Sequence, residues 1–210
     1  DLNAEGVDHI ICTGDVTNLA LPGEFRYARE RFDRLTLGTA GVTVIPGNHD
    51  AYIQDGQRHF AEVFGDYATA DPGAGAVGQM ITADPRLAGK CRVVAIHHPP
   101  AGKRAASTIR GLKDRADFAA VIKECGADVV IHGHEHRNMR ESLDGPAGPV
   151  DVLGVPSGTY EANDPHRTAR YRIFEIDGGR VVGQHLRIWH RDRKTFARDE
   201  HEPPVLAASA

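Results

Sequence analysis

Four short apolar runs in this chain each stop at residues able to hold a metal ion or move a proton. DHIICT (8–13) runs into Gly14-Asp15, and Val42 to Ile45 runs through Pro46 into Gly47-Asn48-His49-Asp50. CRVVAI (91–96) halts at His97-His98, and Asp128 to Ile131 at His132-Gly133-His134-Glu135-His136. Six of the 12 histidines lie in these clusters, a concentration that surface decoration does not explain. A mixed set of imidazole nitrogens, carboxylates and one amide suits Mn, Fe, Zn, Co or Ni. Mg and Ca prefer shells made entirely of oxygen.

The elements that must position these residues follow from hydrophobic periodicity. The four apolar runs read as buried strands, each punctuated at its carboxyl end. Glu24 to Leu35 reads as a helix, with Phe25, Ala28, Phe32 and Leu35 on one face, and Gln57 to Phe64 as a second. A third helix is capped by Asp114 or Asp117, runs through Cys125 with Phe118, Val121 and Ile122 inward, and stops at Gly126. Residues 68–78, rich in Gly, Ala and Pro, read as a loop. Beyond Ile131 the texture changes to alternating segments, 137–143, 150–155, 168–176 and 180–189, with Asp177-Gly178-Gly179 as the clearest hairpin turn. The chain is therefore α/β, with a β-rich last third. The carboxyl ends of parallel strands are where such sheets bind ligands. Residues 1–190 form the domain, and 191–210, polar and then rich in Pro and Ala, read as a frayed tail.

Composition narrows the function. With 25 Lys+Arg against 29 Asp+Glu, the formal net charge is −4, which argues against a nucleic-acid-binding module. No apolar run approaches the roughly 18 residues of a membrane span. Cys12, Cys91 and Cys125 are odd in number and far apart, so they read as buried free thiols in a reducing, cytoplasmic setting.

GDVTN (14–18), PGNHD (46–50), HHPP (97–100) and HGHEH (132–136), in that order, resemble the calcineurin-like metallophosphoesterase superfamily, and within it the bacterial branch of class III cyclic-nucleotide phosphodiesterases. The resemblance covers about residues 1–190. It implies a four-layer α/β/β/α sandwich holding two divalent metals. Asp15 matches the aspartate that bridges them. Asn48, His97 and His134 match the remaining ligands of site B, and His136 a ligand of site A. His49 matches the histidine that binds no metal but contacts the phosphoryl group and assists the leaving oxygen. The implied reaction is phosphoric ester hydrolysis, of diesters ahead of monoesters, by in-line attack of a metal-bridging hydroxide. The substrate class is a small phosphoester, and no protein nucleophile is required.

The family opens on a strand bearing Asp-x-His, which supplies half of site A, and no such motif precedes Gly14 here. Asp1 to Gly6 reads as the last turn of a helix stopped by Gly6. The expectation is a chain that enters the fold inside its first βαβ unit, without the first strand and with site A incomplete. The alternative function is thus a catalytically impaired or non-catalytic metal-binding protein. HGHEH itself fits neither the HxHxDH signature, since His136 stands where its aspartate would fall, nor HExxH, since Asn138 replaces the second histidine.

Several residues carry a plainer reading beside the functional one. Asp15 could serve only as a turn or cap aspartate, and Asn48 as a left-handed turn residue. Strand alternation turns His97 and His98 opposite ways, which favours the first as ligand and leaves the second to support it. His132 reads as packed behind the site, and Asp50 and Glu135 as supporting or solvated. His9, His59, His185, His190 and His201 lack ligand spacing, and His166 could reach substrate but reads as plain surface. Lys103, Arg104 and Arg110 sit in the loop after HHPP, either as a lid over a phosphate or, as such charges usually are, solvated.

Overall fold

A computed structural model of the chain describes residues 1–68, 88–107, 111–164 and 166–200. The expected loop at 68–78, apart from Ala68, lies outside them, as do the Arg104 side chain, Arg110 and residues 201–210.

Ile10–Cys12 (β1) and Val42–Val44 (β2) pair in parallel, with Cys12 opposite Val44. Parallel strands end at the same edge, so the chain leaves β1 through Gly14-Asp15 beside the point where it leaves β2 through Gly47-Asn48. Pro22–Phe32 (α1) opens on a proline, whose missing N–H costs nothing at a first helical position. The Glu24 carboxylate reaches back to the N–H groups of Leu19 and Leu21, each 3.0 Å away, and satisfies donors the helix start would otherwise leave open. Gly56–Phe64 (α2) follows. Phe25 and Ala28 of α1, Phe60 and Phe64 of α2, and Val42 and Val44 of β2 form one core with Ala20 and Tyr67. Phe25 meets Phe60 edge-on at 6.3 Å and Phe32 meets Phe64 at 5.5 Å. Burying one such ring contributes about 1.5–3 kcal/mol, so this cluster outweighs any surface ion pair nearby. The helix ends at Phe32, short of the expected Leu35, yet Leu35 still packs on the core.

The second sheet has the order β3-β4-β6-β5, with β3 Val93–Ile96, β4 Val129–His132, β5 Met139–Gly145 and β6 Gly148–Gly154. β4 and β6 run parallel, with His132 opposite Gly154, and β5 folds back on β6 as a hairpin. Arg115–Cys125 (α3) packs on β5 and stops at Gly126, whose φ of 71° is a conformation glycine adopts without strain. The third sheet is an antiparallel meander of Arg170–Asp177 (β7), Arg180–His190 (β8) and Thr195–Arg198 (β9). Gly178 and Gly179, at φ 53° and 77°, make the tight β7–β8 turn as expected.

Two units result, Asp1–Pro72 with Ala95–His97, and Gly73–Val94 with His98–Ala210. The fold is α/β, parallel where it begins and antiparallel where it ends. Two expectations are corrected. Residues 191–210 are not a frayed tail throughout, because Thr195–Arg198 pair with Arg187–His190 as β9. The three cysteines are free but only half-buried, not fully so. Among the described residues no helix is long and apolar enough to cross a membrane.

Candidate metal centre

In the first unit, two glycines allow the loops after β1 and β2 to touch. A Cβ on Gly14 would stand 2.5 Å from the Gly47 nitrogen and 2.9 Å from His97 Nδ1, and one on Gly47 would collide with the backbone and carboxylate of Asp15. Only glycine permits this approach. Asp50 then ties the loops together. It is fully buried, and its carboxylate accepts hydrogen bonds from the N–H groups of Val16 (3.2 Å), Thr17 (2.8 Å) and Gly47 (2.8 Å) and from the Thr17 hydroxyl (2.8 Å). Asp50 was expected to support the site or face solvent; burial and four donors make it a structural clamp. Asp15 is held at φ 57°, a left-handed conformation that costs a non-glycine residue on the order of 1–2 kcal/mol.

Three candidate ligands meet on this clamp. His97 Nε2 lies 2.9 Å from Asn48 Oδ1 and 3.2 Å from Asp15 Oδ2. The other ring nitrogen, Nδ1, donates to the Thr13 carbonyl at 2.7 Å. With the Nδ1 proton so placed, the neutral ring turns a bare lone pair toward two oxygens, which is a donor set awaiting a positive charge. Burial alone would push the His97 pKa down, but the Asp15 carboxylate, the Thr13 carbonyl and the charge of Asp50 outweigh it, and the pKa is raised. Burial likewise pushes Asp15 up, yet its hydrogen bond and charge interaction with His97 and the His49 N–H, 2.9 Å away, hold it below the ordinary carboxylate value. A carboxylate oxygen, an amide oxygen and an imidazole nitrogen fit a divalent transition metal. Asn48 sits at φ −71°, ψ −31°, so the left-handed turn alternative for it does not hold.

His49 points its Nδ1 at the Asn18 carbonyl, 2.8 Å away, and stacks on Tyr52 with ring centroids 5.8 Å apart. Its Nε2 takes no part in that hydrogen bond. Cys12, half-buried as a residue, is no competing nucleophile, since desolvation of its thiol itself pushes it up to about 11.

In the second unit, the loop after β4 carries His134 and His136 at φ 66° and 50°. Non-glycine residues rarely hold such angles, and they cluster at functional sites. The His134 ring lies 4.5 Å from that of His98. His132 is buried as expected, with Nδ1 3.0 Å from the Gly133 carbonyl and its ring filling the space a Cβ on Gly154 would occupy. Glu135 is buried, not solvated, at 8% exposure. His166 is exposed.

The features sequence reasoning underrated are Asp50 and the Asn18 carbonyl. The run Gly47-x-x-Asp50 could have flagged the first, since an aspartate three residues past a glycine can take that glycine's N–H. A backbone carbonyl leaves no sequence signal.

The family model of the calcineurin-like phosphoesterases matches residues 1–138. No curated protein matches the chain in sequence. Among solved structures, a Vps29 double mutant from Entamoeba histolytica aligns at 14% identity with a TM-score of 0.49, over 94% of this chain and 84% of that one. A Vps29 single mutant from the same organism gives 14% and 0.46 over the same shares. Wild-type Vps29 from that organism, complexed with zinc, gives 13% and 0.35 over 90% of this chain and 95% of that one. Since the family model spans well over half of the sequence and includes all four donor clusters, the chain belongs to the calcineurin-like phosphoesterase family, whose members are metal-dependent.

Proposed function

We propose that this protein hydrolyses small phosphodiesters, in preference to monoesters, at a two-metal centre, as its resemblance to the class III cyclic-nucleotide branch suggests. The observation that carries the proposal is the meeting of Asp15, Asn48 and His97 donor atoms within 3.2 Å of His97 Nε2, with the opposite ring nitrogen anchored on Thr13. Asp15, Asn48, His97 and His134 are assigned to one metal, and Asp15 with His136 to the other. Divalent cations there supply an activated water and neutralise phosphoryl charge. The chain's own residues do the rest. Thr13 fixes the His97 tautomer, Asp50 holds the two ligand loops in register, and Asn18, accepting from Nδ1–H, orients His49 so that an imidazolium there can pass its Nε2 proton to the departing oxygen.

The test is hydrolysis of bis(p-nitrophenyl) phosphate against p-nitrophenyl phosphate with Mn²⁺ present. The diester is cleaved faster, and Asn48→Ala lowers kcat/KM by more than about 100-fold, the upper end of what losing a mere supporting residue costs. Undiminished hydrolysis in that variant overturns the ligand assignment. A second reading is metal binding without turnover. Calorimetric titration separates the two: two tightly bound metals per chain support the enzyme, and one supports the binding protein.

A further inference from the structure

An open depression of about 430 Å³ lies in the first unit between the loop that follows Asp15 and the first turns of α1, lined by Val16, Thr17, Asn18, Gly23, Glu24 and Tyr27. It adjoins the candidate centre through Asn18, whose carbonyl holds His49. Its polar groups are largely engaged elsewhere. The N–H groups of Val16 and Thr17 and the Thr17 hydroxyl turn to Asp50. One oxygen of the Glu24 carboxylate accepts from Leu19 and Leu21. What faces a ligand is the Val16 side chain, the Gly23 backbone, the exposed Asn18 and the Tyr27 ring, beside one negative charge.

Tyr27 is 60% exposed, and the Arg31 guanidinium, one helical turn on, covers its ring at 4.4 Å from the centroid. That contact holds the ring in place for stacking on its other face. Leu19 and Leu21, at 45% and 46% exposure, extend the apolar surface along the same loop. A carboxylate among satisfied amides repels an anion, whereas an exposed ring on an apolar wall attracts a flat neutral group.

We infer that this depression seats the uncharged aromatic group of a phosphoester whose phosphoryl end lies at Asp15 and His49. The inference rests on the hydrolase reading for its substrate class, but its test does not require turnover. Phenyl phosphate and methyl phosphate share the phosphoryl group and differ only in what the depression would hold. Their affinities are measured by calorimetry, with Mn²⁺ and after chelation, for the wild type, Tyr27→Ala and Gly23→Leu. Gly23 has no neighbour nearer than 4.0 Å to a new Cβ, so its variant fills the depression without disturbing the fold.

The wild type binds phenyl phosphate about fivefold more tightly than methyl phosphate, both variants lose that margin, and methyl phosphate binds all three alike. A margin kept in both variants, or absent from the wild type, overturns the inference. So does tighter binding of 4-carboxyphenyl phosphate than of phenyl phosphate, since Glu24 opposes a second anion. A wild type that shows the margin yet hydrolyses no ester refutes the hydrolase reading and leaves the aromatic seat standing.

Discussion

Asp50 shows how a residue that touches no substrate can govern a site. Its carboxylate serves four donors from two loops, and without it three N–H groups, two of them buried, lose their acceptor. Asp50→Ala is expected to cost about 3–5 kcal/mol of stability in urea unfolding, the range for breaking a buried charged network, and to weaken Mn²⁺ binding by tenfold or more. Asp50→Asn, which keeps one acceptor oxygen, falls between it and the wild type. The Asp15–His97 pair sets a pH dependence. Asp15, lowered from 3.8, contributes fully above that value and loses its contribution as pH falls through its folded pKa. His97, raised from 6.5, contributes fully below that value and loses its contribution as pH rises through its folded pKa. Chelator-treated protein is therefore expected to gain most from the pair between about pH 3.8 and 6.5, as read by urea midpoints across a pH series. Metal binding runs the other way: Mn²⁺ displaces the His97 proton, so its affinity rises as pH climbs through the raised pKa, and calorimetry in buffers of different ionisation heat reads the released proton. The sequence made Asp15, Asn48, His49 and His97 visible because their types are unusual at strand ends. It hid Asp50, since an aspartate in a loop is normally solvated and only the burial of its neighbours shows otherwise.

At the scale of elements, the approach of the β1 and β2 loops depends on absent side chains. Gly14→Ala forces a Cβ into Gly47 and His97 at a φ of 101°, and is expected to destabilise by more than about 2 kcal/mol. Gly23→Ala, in open space on α1, is expected to stabilise by about 0.5–1 kcal/mol, so thermal unfolding should give opposite signs for one chemical change. The short helix Gly102–Ala105 fell within the stretch after HHPP that read as loop, whereas the strands up to β8 and the three longer helices were legible because their punctuation uses glycine, proline or aspartate. The turn into β9 does not. Arg191 to Lys194 contain no glycine, and Lys194 itself takes the left-handed position at φ 48°. With its marker replaced by a lysine, the strand Thr195–Arg198 vanished into a polar stretch.

For the molecule as a whole, membership of the family was readable because four weak motifs occur in a fixed order, each at the end of its own strand. The way those strands pair was not, since register depends on partners far apart in sequence. A ligand that binds only the folded chain stabilises it by mass action. Mn²⁺ at about 100 times its Kd should add about 2.7 kcal/mol, seen as a rise in Tm that disappears in Asn48→Ala and on chelation. The third sheet bears on where the chain can safely be cut. Arg170, 7% exposed, has its Nε 3.0 Å from the Asp199 carboxylate, nine residues past the end of β8. A stop codon after His190 would look harmless from the polar sequence that follows, but it would remove the counter-charge of a buried guanidinium and bare the edge of β8 to other chains. For expression of this domain, the practical carboxyl boundary lies beyond Asp199, and shorter versions should be recovered as aggregates.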